Sequence, residues 1–146
     1  MQVDFYQLSA TQLDRALPQI AEKVLAGGGR LLVVAQDAAQ RAALDRALWT
    51  YAPESFLPHG QAGGDRDADQ PVLIAATPDA ANGARFVALA DGVWRDEALG
   101  FDRALHFFDA GSVAAARLAW KTLADREGVE RRYWKQDERG RWTQAG

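Results

Sequence analysis

The chain has no cysteine. That excludes a disulfide framework, a thiol nucleophile and a thiolate metal site, and it fits a reducing compartment. Histidine is nearly as scarce: His59 and His106 are the only two, far apart, with no His/Asp/Glu cluster at metal-ligand spacing. No segment approaches the roughly 18 continuous apolar residues of a membrane span. The opening MQVDFYQL lacks the basic stretch and long apolar run of a secretion signal. The expectation is a soluble, untargeted, cytoplasmic protein. Strong charge is missing too, since a net charge of −3 argues against nucleic-acid binding by the chain as a whole. Its distribution is uneven: from Ser112 onward eight basic side chains face five acidic ones, which leaves the rest of the chain acidic.

What is present reads as one domain over residues 1–146, long enough to bury a core without disulfides or metal. Val3 to Leu8 is a short aromatic strand. Ser9 and Thr11 offer caps for a helix to about Ala26, with Leu13, Leu17, Ile20, Val24 and Leu25 at helical spacing. Pro18 predicts a kink or a delayed start in it. Arg30 to Ala35 is a buried strand, and Asp37 caps a second helix carrying Leu44, Leu48 and Trp49. Gly60 to Gln70 reads as a surface loop. Val72 to Ala75, Phe86 to Ala90 and Ala104 to Phe108 are strands, with a turn at Asp91 and Gly92. An amphipathic helix runs from Ser112 to about Glu127 and stops at Gly128, after which Glu130 to Trp142 alternates as a strand or hairpin turning at Gly140. Strands alternating with helices predict an α/β domain of the Rossmann-like, P-loop-like, three-layer kind with a mostly parallel sheet.

Such a fold invites a nucleotide, but a phosphate-binding loop places its glycines between a strand and the next helix. Here Gly27, Gly28 and Gly29 lie between a helix and the next strand, as a helix cap and turn would. Neither Gly63-Gly64 nor Gly83 fits a phosphate-loop pattern, so the phosphate-binding loop is expected to be lacking and no cofactor is expected. Ser55 lies in Pro-Glu-Ser-Phe-Leu, which is no nucleophile elbow. His106, inside an apolar strand, reads as a satisfied core or sheet-face histidine, and Asp65 and Asp67 read as solvated loop carboxylates. No catalytic constellation emerges.

Two stretches stand out instead. RALWTYAPESFLPHG, residues 46–60, gathers Trp49, Tyr51, Phe56 and Leu57 where Pro53 and Pro58 deny a regular helix or central strand. The cluster either packs under its own domain or forms an exposed patch of the kind that anchors a protein interface. On the C-terminal helix, Arg117, Trp120 and Lys121 share one face. They either belong to an ordinary amphipathic helix with Trp120 in the core, or set two cations beside an aromatic wall, which suits a peptide ending in a hydrophobic residue and a free carboxylate.

The segment Leu44-Asp45-x-x-Leu48-Trp49, followed by Glu54-Ser55-Phe56-Leu57-Pro58-His59 and then Gly63, resembles the signature of the chi subunit family of bacterial DNA polymerase III. The opening Asp4-Phe5-Tyr6, the strand from Arg30 to Ala35 and the aromatic tail match the family's layout as well, so the resemblance covers nearly the whole chain. It implies a non-catalytic accessory subunit of the clamp-loader assembly. It also implies two partners: the psi subunit, met by a surface matching Trp49, Phe56, Leu57 and Pro58, and the acidic C-terminal tail of single-stranded-DNA-binding protein, met by Arg117, Trp120 and Lys121. Two positions depart from the family's tail pocket. An upstream lysine falls on Val113, and a tyrosine is replaced by Trp120, leaving Arg131, Arg132 or Lys135 to supply the missing charge. The expected mechanism is bivalent tethering of the replicase to coated single-stranded DNA. The rival readings are a direct single-stranded nucleic-acid binder stacking bases on Trp120, Tyr133, Trp134 and Trp142, and a small nucleotide-dependent enzyme.

Overall fold

A computed structural model describes residues 1–9, 12–51 and 57–146. The elements follow the order β1 (Gln2–Gln7), α1 (Leu13–Ala26), β2 (Leu31–Val34), α2 (Ala38–Thr50), β3 (His59–Gln61), β4 (Val72–Ala75), β5 (Phe86–Leu89), β6 (Arg103–Phe108), α3 (Val113–Ala124), β7 (Glu130–Gln136) and β8 (Trp142–Gln144). They build one eight-stranded sheet of order β3-β4-β2-β5-β6-β1-β7-β8. Every pairing is parallel except β7 with β8, an antiparallel hairpin at one edge. The short strands β2 and β4 are apolar throughout because helices cover both faces of the sheet, the ordinary requirement of parallel strands.

Strand alternation sorts the core into two halves. Val3 and Phe5 of β1 face α3, where they meet Phe108, Ala116 and Leu123. Tyr6 faces the other way, toward α1 and α2, with Leu17, Leu44, Leu48 and Phe107. The layers are therefore α1 with α2, the sheet, and α3.

The glycine run after α1 behaves as a helix stop. Gly28 has φ +82°, the Gly28 N–H donates to the Leu25 carbonyl at 3.0 Å and the Gly29 N–H to the Val24 carbonyl at 3.0 Å. This is the paired closure that a left-handed residue after a helix permits, and a side chain at Gly28 would strain it.

Several elements differ from the sequence expectation. The helix α1 starts at Leu13 with Gln12 as its cap, and Gln12 makes no side-chain capping bond. Ser9 does not cap it; its N–H donates to Gln136 Oε1 at 3.1 Å. The alternative cap, Thr11, lies outside the described residues. Pro18 stands within the helix with its ring buried, and the carbonyl that loses a donor is that of Asp14 on the exposed first turn. The stretch read as loop from Gly60 begins as the edge strand β3, too short and too polar to carry a periodic signal. Asp91 and Gly92 do turn the chain, with φ +74° at Gly92, but β5 and β6 are parallel neighbours and no hairpin forms. The last helix ends at Ala124, three residues before the expected stop. His106 is in the core, as expected, yet not satisfied: neither ring nitrogen has a hydrogen-bond partner among the described residues.

Candidate functional site

The C-terminal surface is built by α3 lying over the β1–β7 side of the sheet. Ala116, Ala119 and Leu123 bury its inner face, which leaves Arg117 and Lys121 exposed and Trp120 half-buried at the boundary. The Trp120 ring meets Phe5 edge-on, with centroids 5.2 Å apart, and Tyr133 likewise at 5.7 Å. The outer side of the ring is met by a cation: Arg131 Cζ lies 4.1 Å from its centroid, while Arg131 Nη1 donates to the Trp120 carbonyl at 2.7 Å. Tyr133 donates to Gln7 Oε1 at 2.5 Å and carries Lys135 Nζ 5.8 Å from its ring centroid. Burial raises the Tyr133 phenol above its ordinary value, and the charge of Arg117 opposes that shift. The backbone of Gly146 lies against the same rings, through Tyr133 N–H donating to its carbonyl at 3.1 Å.

The period of two along β7 explains which cations gather here. Arg131, Tyr133 and Lys135 share the α3 face, while Arg132 and Trp134 take the opposite one, paired in register with Asp4 and Tyr6. Arg132 instead meets Glu130 at 3.1 Å. Of the three candidates for an extra charge, Arg131 and Lys135 stand beside Trp120 and Tyr133, and Arg132 does not. The same alternation splits the four aromatics of the tail. Trp134 stacks on Tyr6, with centroids 6.2 Å apart, and donates to Asp4 Oδ1 at 2.9 Å, and Trp142 meets Tyr6 edge-on at 5.0 Å, on the face away from Trp120. Val113 packs against the core, where a lysine would be out of place.

The second surface forms at the end of α2. Leu44 and Leu48 are buried, and Trp49, next on the helix, is 53% exposed with its ring 4.7 Å from that of His59. Leu57 is only 4% exposed and belongs to the core beneath α2, so its side chain anchors the segment from inside. Pro58 is half-buried. Phe56 lies outside the described residues. His59 Nδ1 is 2.6 Å from the Leu57 carbonyl, and Nε2 is 3.1 Å from Asp45 Oδ1 without a hydrogen bond between them.

A cleft of about 830 Å³ opens where the connections leaving β1 and β6 part to opposite faces of the sheet, the usual ligand position of such folds. Two of its backbone donors are engaged within the protein. The Asp109 carboxylate accepts from Gly111 N–H at 3.0 Å, and the Ser112 hydroxyl accepts from Asp109 N–H at 3.2 Å. Asp91, on the same cleft, pairs with Arg95 at 2.7 Å. Carboxylates face the space where a phosphate would sit. No helix among the described residues is long and apolar enough to cross a membrane.

Fold and surfaces together define an α/β domain of the mostly parallel-sheet class whose C-terminal surface is aromatic and cationic. Residues 1–130 match the family described as DNA polymerase III chi subunit, HolC, and the chain belongs to that family. Among its relatives, the DNA polymerase III subunit chi of Pseudomonas aeruginosa is 35% identical over 75 residues, covering 49% of this chain and 51% of that protein. That of Escherichia coli is 36% identical over 63 residues, 43% of each chain. The chain matches about half the length of these curated relatives.

Arg131, Tyr133 and Lys135 are the neighbours of the Trp120 surface that reasoning along α3 alone does not reach. Their signal is the alternation of the tail, which becomes informative once β7 is known to lie beside β1.

Proposed function

We propose that the protein is a non-catalytic adaptor of the bacterial replicase. It binds the psi subunit of the clamp loader with the surface around Trp49, and the acidic C-terminal tail of single-stranded-DNA-binding protein with the surface around Trp120. The fold serves as a Rossmann-like scaffold without a phosphate-binding loop, and the carboxylates at the β1–β6 cleft favour that view over a nucleotide enzyme.

The observation that carries the reading is the placing of Arg131 over the Trp120 ring and of Lys135 near the Tyr133 ring, with Arg117 exposed on the helix that carries Trp120. An acidic peptide with a terminal apolar residue needs such a combination: fixed cations for its carboxylates and an aromatic wall for its last side chain. Lys121 extends the positive rim along α3. At the other surface Trp49 and Pro58, with Phe56, meet psi while Leu57 holds the segment from within. Two weak contacts joined in one rigid domain raise the local concentration of the replicase at coated single strands. A direct nucleic-acid binder is less well supported, because Trp120 and Tyr133 lie on one side of the sheet and Trp134 and Trp142 on the other.

The test is a titration with a fluorescent peptide copying the acidic tail, beside Arg117→Ala and Trp120→Ala. Saturable binding by the wild type, weakened in both variants, supports the proposal. Binding unchanged in Arg117→Ala would remove the pocket from it.

A further inference from the structure

We infer that residues 144–146 form a strap laid against Trp120 and Tyr133, and that this strap holds the tail surface partly closed until an acidic tail displaces it. This rests on the reading of that surface as the tail pocket.

Backbone bonds set the strap in place. Beyond the regular pairing of β7 with β8, Ala145 N–H donates to the Tyr133 carbonyl at 2.7 Å, and Tyr133 N–H donates to the Gly146 carbonyl at 3.1 Å. Two residues thus oppose one, a bulge of the kind that re-aims the edge of a sheet. The Gly146 carbonyl also accepts from Gln144 Nε2 at 3.2 Å. Gly146 comes to rest against the α3 side of the hairpin: a Cβ at this glycine would lie 3.7 Å from Trp120 Cζ2, 3.8 Å from Trp120 Cη2 and 3.5 Å from Tyr133 Cβ. Gln144, Ala145 and Gly146 are exposed while Trp120 and Tyr133 are half-buried, so the strap covers part of the aromatic wall from the solvent side. Phe5, Tyr133 and Arg131 already meet the Trp120 ring, and the strap takes a further part of it.

The composition of the strap makes it easy to displace. Ala145 and Gly146 offer a methyl group and a hydrogen, so they bury little apolar area, and their hydrogen bonds lie at an exposed edge. An acidic tail with an apolar terminal residue brings what the strap lacks: a side chain large enough to fill the wall, and carboxylates for Arg117 and Lys135. The two compete for the same ring edge. The apparent affinity for the tail is then its intrinsic affinity multiplied by the fraction of chains whose strap is open. Gly146 itself has no left-handed φ, and the separations around it are ordinary contact distances, so a side chain can be placed there.

The test uses the full-length protein and a fluorescent peptide copying the acidic tail, with two variants that push in opposite directions. Ala145→Pro removes the N–H that holds the strap to Tyr133, and is expected to tighten tail binding about fivefold. Gly146→Leu sets an apolar side chain against Trp120, and is expected to weaken tail binding about fivefold. Thermal midpoints recorded alongside should stay close to the wild type, because the strap lies outside the core. An Ala145→Pro protein that binds no tighter than the wild type overturns the inference. A Gly146→Leu protein that binds as well as the wild type overturns the placing of the strap on the ring. Binding by Ala145→Pro alone supports a strap that is closed in the wild type. If no form binds the peptide, the tail reading fails, and the strap is judged by magnetisation transfer between the Gly146 α-protons and the Trp120 indole. Transfer seen in the wild type and lost in Ala145→Pro supports the strap. Its absence from the wild type, or its persistence in the variant, overturns it.

Discussion

The guanidinium of Arg131 lies over the ring of Trp120, 4.1 Å from its centroid, and donates to the carbonyl of the same residue at 2.7 Å. One side chain thus ties β7 to α3 and places a cation on the face of the proposed tail pocket. Replacing Arg131 with Ala removes both contacts. The expected loss is about 1–2 kcal/mol of stability by thermal or denaturant unfolding, together with weaker tail binding. Arg131→Lys keeps the charge and loses the fork, so it should recover binding only in part. An Arg131→Ala protein of wild-type stability would show that the stacked pair is incidental.

Tail binding should weaken as salt rises, because Arg117 and Lys121 are exposed and screened. Arg117→Ala should raise Kd about tenfold, and Lys121→Ala less, since only a guanidinium takes a carboxylate in two-point contact. Fluorescence anisotropy at low and high salt reads both effects. A larger loss for Lys121→Ala would shift the centre of the pocket along α3.

Trp49 is exposed, and its removal should be nearly silent in folding and severe in partner binding. The expectation for Trp49→Ala is loss of co-purification with psi, corresponding to about 2 kcal/mol or more, with a melting temperature close to that of the wild type. Retained co-purification would move the psi surface elsewhere.

His106 makes stability depend on pH. Burial lowers it from 6.5 to about 4, so the ring is neutral in the folded state while the unfolded chain binds a proton below pH 6.5. As pH falls through that window the unfolded state binds more protons, and stability falls with it by about 3 kcal/mol in total. Above pH 6.5 the group contributes no slope. His106→Leu, of similar volume and with no ring nitrogen to leave unpaired, should flatten the curve between pH 6.5 and 4. Denaturant midpoints measured across that range decide it, and an equally steep curve in His106→Leu would assign the acid lability to other groups.

Asp4 is a fully buried carboxylate that accepts from Arg103 Nε at 2.5 Å, Trp134 Nε1 at 2.9 Å and Gln2 Nε2 at 3.0 Å, joining β1 to β6 and β7. Asp4→Ala leaves the indole N–H without its acceptor and Arg103 without its counter-charge. The cost should be about 2–3 kcal/mol in chemical denaturation, moderated because Arg103 is partly exposed. Tail binding on the opposite sheet face should survive in whatever fraction remains folded.

The strands β2 and β4, the helix α2 and the glycine stop after α1 are legible from the chain because each is a local pattern: an apolar run, a cap, a residue free to adopt positive φ. The Arg117, Trp120 and Lys121 face was legible for the same reason, as a period of 3.6 within one helix. The edge strand β3 was not, since three residues carry no period and His59–Gln61 pairs only because β4 lies beside it. The burial of Leu57 beside an exposed Trp49 was equally hidden, because on an irregular stretch the chain has no period from which a face can be read.

By itself, the sequence determined most of the helices and strands though not all their bounds, that thiol chemistry is absent, and which two stretches carry aromatic and basic surplus. These depend on backbone propensity and on residue supply, which act within a few neighbours. Only the tertiary structure decided that Arg131 and Lys135 join Trp120 while Arg132 and Trp134 turn away, and that Asp45 and the Leu57 carbonyl close on His59. Those outcomes depend on register and packing between segments distant in the chain. A one-residue shift of β7 against β1 would exchange its two faces and place Arg132 beside Trp120 instead.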